Sequence, residues 1–509
     1  MVQVQIIDII LPIFTLVIAA LLTIPIFKII RKHENHKTAY TLGWFLIVFL
    51  IAGATVANLA FTYYSTANPP PLNLALDGSV SSAVTSSFLI DAISIYMAII
   101  IVGISAVVLV YSVFFIDSNE RPSDRYFAIM LILTAALLGA VLSGDLLTFF
   151  IFWEAATASA AFLMMYRKNA FSLNATLKFL VMVIIASAFV LFGMSIIYGL
   201  TGSLNYSAVR EALSTATLVA SDKNLLIIAF IFVAAGYAIE AAIVPFHFWL
   251  PDAYTAAPAP SAAFLSALVD QGSYYILIRI LLYIIIPTGP NHVLDWTFML
   301  AILAAVTMVV GNVFALIQND VKRLIAYICV ADVGYNLVAI TSIKSLGLEG
   351  NLYFFLIGGL TTGLAFMAIG IINRYGIKTL SDFAGFGKKA PLVSIALVIA
   401  GLSFAGVPPL GGFIGKYLVF TAALQANLSW LAVIGVLTSV LQTAYIFRLM
   451  NIMYGKKAAD ETRVKESKRL LIPVFILVAA IFMLGLFPDL VLQLIHPAVH
   501  QLSALIPSI

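Results

Sequence analysis

Five ionisable side chains interrupt long apolar runs of this chain. They are Glu154 in "FFIFWEAATASAAFL", Glu240 in "AAGYAIEAAIVPFHFWLPDAY", Asp270 in "FLSALVDQGSYYILI", Asp332 in "IAYICVADVGYNLVAI" and Lys416 in "GGFIGKYLVF". A charge at the centre of a hydrocarbon layer costs at least ~2.5–3.5 kcal/mol on insertion scales, so such residues are functional candidates by default. The chemistry they offer is proton exchange. A low dielectric favours the neutral form of a carboxylic acid, a neighbouring cation favours the charged form, and moving that cation switches proton affinity. The pattern reads as a line of titrating groups, with Lys178 and His247 as candidate relays, and not as an enzyme's active centre. Counting ~1.5 Å per helical residue puts Glu154, Asp270 and Asp332 near mid-depth, while Glu240 and Lys416 stand beside interruptions in their helices.

Other polar residues have plainer readings. Asp145, Lys178, Arg279 and Asp320 lie closer to the ends of their apolar runs, where capping or snorkelling accounts for them. Asp252 in "WLPDA" reads as a cap or turn residue, and Arg448 as an interfacial anchor. His247, between Phe246 and Trp249, is equally a packed ring or a relay. The aromatic run "FFIFWE" reads as packing. "GGFIGKY" lacks the spacing and the Ser/Thr of a phosphate loop. The six histidines show no metal-ligand spacing, and the single cysteine, Cys329, allows neither an intramolecular disulfide nor a Cys-ligated cluster from this chain alone.

The elements that must position these groups follow from composition. Of 509 residues, 62% are hydrophobic and 10% charged, with a mean hydropathy of +1.08, too few charges to cover a water-soluble surface. Roughly 20 helical residues cross a ~30 Å hydrocarbon layer, and on that ruler the chain holds about 14 spans. The runs are too long for β-barrel strands, so an all-α polytopic membrane protein is expected. The first apolar run has no basic leader and reads as a retained helix, not a signal peptide. Loops holding nearly all the Lys and Arg alternate with loops keeping only Arg210, Lys223 and Lys344, which predicts both termini outside. The net charge of +4 is placed for topology, not for nucleic acid.

Two spans are broken, at "IVPFHFWLPDA" with Pro245 and at "AGVPPLGGFIGK" with Pro408, Pro409, Gly411 and Gly412. Proline removes a donor and clashes with the preceding turn, and such backbone survives at membrane depth only where protein or water satisfies it. The breaks fall in the seventh and twelfth spans, which fits two inverted five-helix units, spans 4–8 and 9–13.

The stretches "GDLLTFFIFWE", "VPFHFWLPDAY", "QNDVKRLIAY" and "LSFAGVPPLGGFIGK" resemble, in order and spacing over about residues 88–453, the motifs of an antiporter-like family. It is shared by respiratory complex I, the Mrp cation/proton antiporters and the energy-converting membrane hydrogenases and sulfur reductases. The resemblance implies 14 helices with two inverted five-helix repeats and two discontinuous helices. It divides the chain into an N-terminal three-helix segment (1–125), a first repeat (126–286), a second repeat (287–453) and a loop with a last helix (454–509). Glu154 and Lys416 match the family's charges on the fifth and twelfth helices. The departures are Glu240 where a lysine is usual, Gln271 beside Asp270 at another lysine position (a third candidate relay), Asp332 at a histidine position and Thr362 at a lysine position. Two acids in the first half would compete for ionisation. That half then conducts as an acid-only line, or holds Na⁺ on carboxylates, or serves as scaffold.

The function implied is proton or Na⁺/H⁺ translocation by one subunit of a multisubunit complex in a prokaryotic plasma membrane. Its partners would be other membrane subunits, lipids, protons and Na⁺. This chain would hold no cofactor, and iron–sulfur, NiFe or other redox centres would belong to partner subunits. The chain lacks the long lateral helix of the largest complex I member, which favours a hydrogenase-like or Mrp-type parent. A stand-alone secondary transporter of a small solute is the alternative.

Overall fold

The computed structural model describes residues 5–30, 32, 37–65, 70–75, 86–116, 123–215, 219–281, 296–457 and 464–504. The chain is an all-α, multi-spanning membrane protein, because closed helices satisfy every backbone group in lipid. In order, the helices are α1 (Ile6–Ile30), α2 (Lys37–Tyr64), α3 (Ala92–Phe115), α4 (Ser123–Val141), α5 (Leu146–Met164), α6 (Ala170–Thr201), α7 (Tyr206–Thr215), α8 (Ala220–Glu240), α9 (Trp249–Ala256), α10 (Ala259–Phe264) and α11 (Asp270–Ile278). They continue as α12 (Trp296–Ile317), α13 (Val321–Thr341), α14 (Ser345–Asn373), α15 (Phe386–Lys389), α16 (Pro391–Ala405), α17 (Gly411–Gln425), α18 (Ser429–Gly455), α19 (Lys468–Leu486) and α20 (Asp489–Ala504). A hairpin, β1 (Leu72–Ala75) against β2 (Ser87–Ile90), precedes α3.

Among the described residues, 12 helices are long and apolar enough to cross a membrane. The two other expected spans are built in pieces. The eighth runs through α10, a π-helical turn at Leu265–Val269 and α11; its expected last residues, 282–286, lie outside the described residues. The twelfth is α16 followed by α17. Parts of several expected charged loops, and residues 66–69 and 76–85, also lie outside them. The expected fourteenth span, 470–494, differs: α19 stops at Leu486 and α20 is a separate helix, because Pro488 has no N–H to continue the ladder and disfavours helix before it. Gln501 of α20 donates to the Tyr63 hydroxyl at 2.7 Å and accepts from Ala92 N at 2.9 Å, fastening this helix to α2 and α3.

The two breaks share one construction. Ala241 N bonds Tyr237 O and Ile243 N bonds Ala238 O, with Ala242 at φ 53°; Val407 N bonds Leu402 O with Gly406 at φ 74°. Each helix therefore ends in a left-handed cap that satisfies its last carbonyls. Each cap is followed by a cis X–Pro bond, Val244–Pro245 and Pro408–Pro409. Glycine is required at 412, where a Cβ would meet Ser403 O at 1.9 Å. The aspartates that start α5 and α13 also match. Asp145 accepts from Thr148 N at 2.7 Å and bridges to Asn205 beyond α6; Asp320 accepts from Arg323 N at 2.9 Å and bridges to Thr379 beyond α14.

α13 and α14 form the centre and are almost wholly buried, while α1, α2, α6, α8, α18 and α19 present apolar faces outward. The first turn of α13 clamps α9. Lys322, buried, donates to Thr255 O at 3.0 Å and to Ala257 O, the carbonyls at the end of α9. Arg323 pairs with Asp252 at 2.9 Å, and Lys178 of α6 reaches the same carboxylate at 2.6 Å. Replacing Lys322 by methionine keeps the stem but withdraws the donor, and a charged hydrogen bond contributes ~1.5–3 kcal/mol. Lys322→Met is expected to lower the thermal midpoint of the detergent-purified protein, and an unchanged midpoint contradicts the clamp.

Candidate functional site

In the first half, Glu240 is the last residue of α8 and is buried. The Trp153 indole N–H of α5 donates to its Oε2. Trp153 is fixed by stacking on Phe149 at 5.7 Å and by Gly272 of α11, where a Cβ would come within 2.8 Å of the ring. Glu154, the next residue, points elsewhere: it is half-buried and accepts from Ser187 Oγ of α6 at 2.6 Å. The two carboxylates feel each other electrostatically.

At the centre, the π-helical turn delivers Asp270 to the start of α11, where the Tyr254 hydroxyl of α9 donates to it. Beside it, Gln271 is buried with its Oε1 unpartnered. Asp332 of α13 is 5% exposed, interacts with Asp270 through space and has no hydrogen-bond partner at Oδ1.

In the second half, Lys416 of α17 is 4% exposed. Its ammonium donates to Gln442 Oε1 at 2.6 Å and Ser439 Oγ at 3.0 Å, both on α18, and lies 4.2 Å from the centre of the Tyr335 ring of α13. Asp332 attracts it electrostatically without forming an ion pair. Gly406 packs beside the lysine stem, since a Cβ there would stand 3.1 Å from Lys416 Cδ. Thr362 is buried and bonded to its own helix at Gly359 O.

Asp270, Gln271, Asp332 and Lys416 are thus interior, with Glu240 at the buried end of α8. Lys178 is not among them: its side chain is 62% exposed and serves the Asp252 pair. His247 is buried, stacked at 6.2 Å on Phe314, with Nδ1 unpartnered. Pro245 follows Val244, whose N–H is taken by Thr307 of α12 at 3.2 Å. Asp145 and Asp320 act as caps, as their positions near run ends suggested. Arg279 is a wholly buried partner, bonded bidentately to Asp91 at 2.5 and 2.6 Å. Asp91 went unnoticed in sequence because it also caps α3, at the edge of its run, and its partner lies 188 residues away. Trp153 was read as packing, which it is, but its N–H also finds Glu240. Among the described residues, no group of three or more His, Cys, Asp or Glu could hold a metal ion.

A family model described as NADH:quinone oxidoreductase/Mrp antiporter, TM, matches residues 143–442. The chain is 31% identical to the NADH-quinone oxidoreductase subunit N of Trichlorobacter lovleyi, over 83% of this chain and 86% of that one. It is 29% identical to the subunit N of Coxiella burnetii, over 91% and 93%. Its fold is similar to a chain of the membrane-bound sulfane sulfur reductase, an archaeal respiratory membrane complex, with a TM-score of 0.86 and 26% identity over 97% of both chains. It is also similar to a chain of the Mrp complex from Dietzia sp., with a TM-score of 0.82 and 22% identity over 98% of both, a likeness of fold alone.

The indole–carboxylate contact is open to a double-mutant cycle. Trp153→Phe and Glu240→Gln, made singly and together, are expected to be non-additive by about 1 kcal/mol or more in unfolding of the purified protein. Additive effects would show that the two side chains do not act together.

Proposed function

Because the chain belongs to the NADH:quinone oxidoreductase/Mrp antiporter transmembrane family, we propose that it carries protons, or exchanges Na⁺ for protons, as one membrane subunit of a multisubunit respiratory or energy-converting complex. The ions pass along Glu154, Glu240, Asp270, Asp332 and Lys416. The observation that carries this reading is that Asp332 is buried with its Oδ1 unpartnered while Lys416, also buried, is bonded to neutral acceptors. A group held this way can change protonation by a small movement, which a closed ion pair cannot. Reading the interrupted stretches 259–281 and 391–425 as crossings gives fourteen spans, and the matched caps and N-terminal aspartates support two related five-helix units. The bacterial relatives favour a prokaryotic plasma membrane, and the basic loops favour both termini outside. Redox centres, where the parent complex has them, belong to other subunits.

One observation favours a division of labour between the halves. Glu240 is tied to Trp153, whose indole donates but cannot accept, whereas Lys416 of the second half is held only by neutral acceptors. In that reading the first half is scaffold and the second conducts. The test uses the intact complex in sealed vesicles with a trapped pH indicator. Lys416→Met is expected to reduce proton uptake at least tenfold with normal assembly, and wild-type uptake refutes the function. Glu240→Gln separates the two versions: unchanged uptake assigns the first half to scaffold, and lost uptake assigns it to the conducting line. Copurification with several other chains is expected of a subunit, whereas isolation as an intact single chain would favour a lone carrier.

A further inference from the structure

The side chains around Lys416 do more than accommodate a buried charge. Its ammonium points at Gln442 and Ser439 and lies over Tyr335, all neutral groups, although the Asp332 carboxylate is close enough to attract it. Asp332 meanwhile keeps Oδ1 without a partner, at a position where an acceptor left bare is costly. A buried cation and a buried anion that attract one another would ordinarily close on each other. Here neutral acceptors on α18 hold them apart.

Three features make the cation movable. The lysine stem has four rotatable carbons carrying three donors. It passes Gly406, whose missing Cβ leaves room at Lys416 Cδ. It also starts from α17, one turn beyond the break, so its helix is not continuous with the α16 helix behind it. Tyr335 and Asp332 are three residues apart on α13, so a path between the two partners runs along a single helix surface.

We propose that Lys416 has two resting places, the cradle of Gln442, Ser439 and Tyr335 and the open oxygen of Asp332, and that Gln442 and Ser439 are positioning residues that set the balance between them. The inference rests on the proposed translocation function and deepens it. In the cradle the lysine keeps its proton, because both neighbours accept from it. Against Asp332 the proton moves from the Lys416 nitrogen to the carboxylate oxygen, leaving a neutral amine and a neutral acid, with no charge created or lost. The cycle closes when the Asp332 acid releases that proton onward and the amine takes up a new one and returns to the cradle.

The intact complex in sealed vesicles tests this with Gln442→Glu, Gln442→Leu and Lys416→Met. Gln442→Glu places an anion where the ammonium already rests, and is expected to cut proton uptake at least tenfold by holding Lys416 there. Ser439→Asp, from the other cradle position, is expected to do the same if Gln442→Glu fails to assemble. Gln442→Leu removes the main acceptor and sends the lysine to Asp332. The carboxyl infrared band assigned through Asp332→Asn is then expected to differ from that of the unaltered complex, a signature that a packing role would not move. The proposal is overturned if Gln442→Glu and Ser439→Asp both pump normally while Lys416→Met abolishes uptake, or if the Asp332 band is the same with and without Gln442→Leu. Normal uptake with Lys416→Met removes the translocation reading itself, and this inference falls with it.

Discussion

An ionised side chain in hydrocarbon must be given a partner, and the completeness of that partnering divides the charges of this bundle into two classes. Arg279 and Asp91 share two parallel hydrogen bonds with no solvent access. Lys322 rests on the carbonyls that end α9, and Asp252 lies between Lys178 and Arg323. These groups are saturated, and they fasten one helix to another. Asp332, Gln271 and His247 are equally buried but keep a bare polar atom, and Lys416 is satisfied by neutral groups with an acid waiting nearby. The first class fastens the scaffold, and in the proposed function the second is where a proton changes hands.

Two of these polar groups, His247 and Lys416, stand at or just beyond the breaks. A continuous helix spends its carbonyls and N–H groups on itself, and its side chains follow a fixed spiral. Ending α8 and α16 in left-handed caps closes their backbone bonding before the chain turns, so that loose backbone at membrane depth is not left unsatisfied. The charges occupy opposite sides of the two breaks. Glu240 closes the helix before its gap, whereas Lys416 lies in the helix after its gap. The same backbone device thus carries an acid bonded to Trp153 in one half and a lysine held by neutral acceptors in the other.

Much of this was legible in sequence, for physical reasons. Apolar run lengths gave the spans, prolines and glycines gave the breaks, and the insertion cost of a charge singled out Glu154, Glu240, Asp270, Asp332 and Lys416. The capping roles of Asp145 and Asp320 followed from their places at run ends. What escaped were partnerships across long stretches of chain. Asp91 with Arg279, Lys322 with the end of α9, and Gln442 with Lys416 join residues whose neighbours in sequence say nothing of one another. The separate α20 and the small hairpin escaped because short elements leave weak periodic signals. Lys178 carried two readings in sequence, snorkelling near a span end or a relay, and its long stem reaches out to a pair with Asp252.

The central claim is that an incompletely partnered acid moves protons while a saturated one does not. It is tested most directly by proton uptake in vesicles holding the intact complex with Asp332→Asn, a change that preserves shape and removes only the titration. The account predicts at least a tenfold fall in uptake with assembly unimpaired. Uptake indistinguishable from that of the unaltered complex would contradict it.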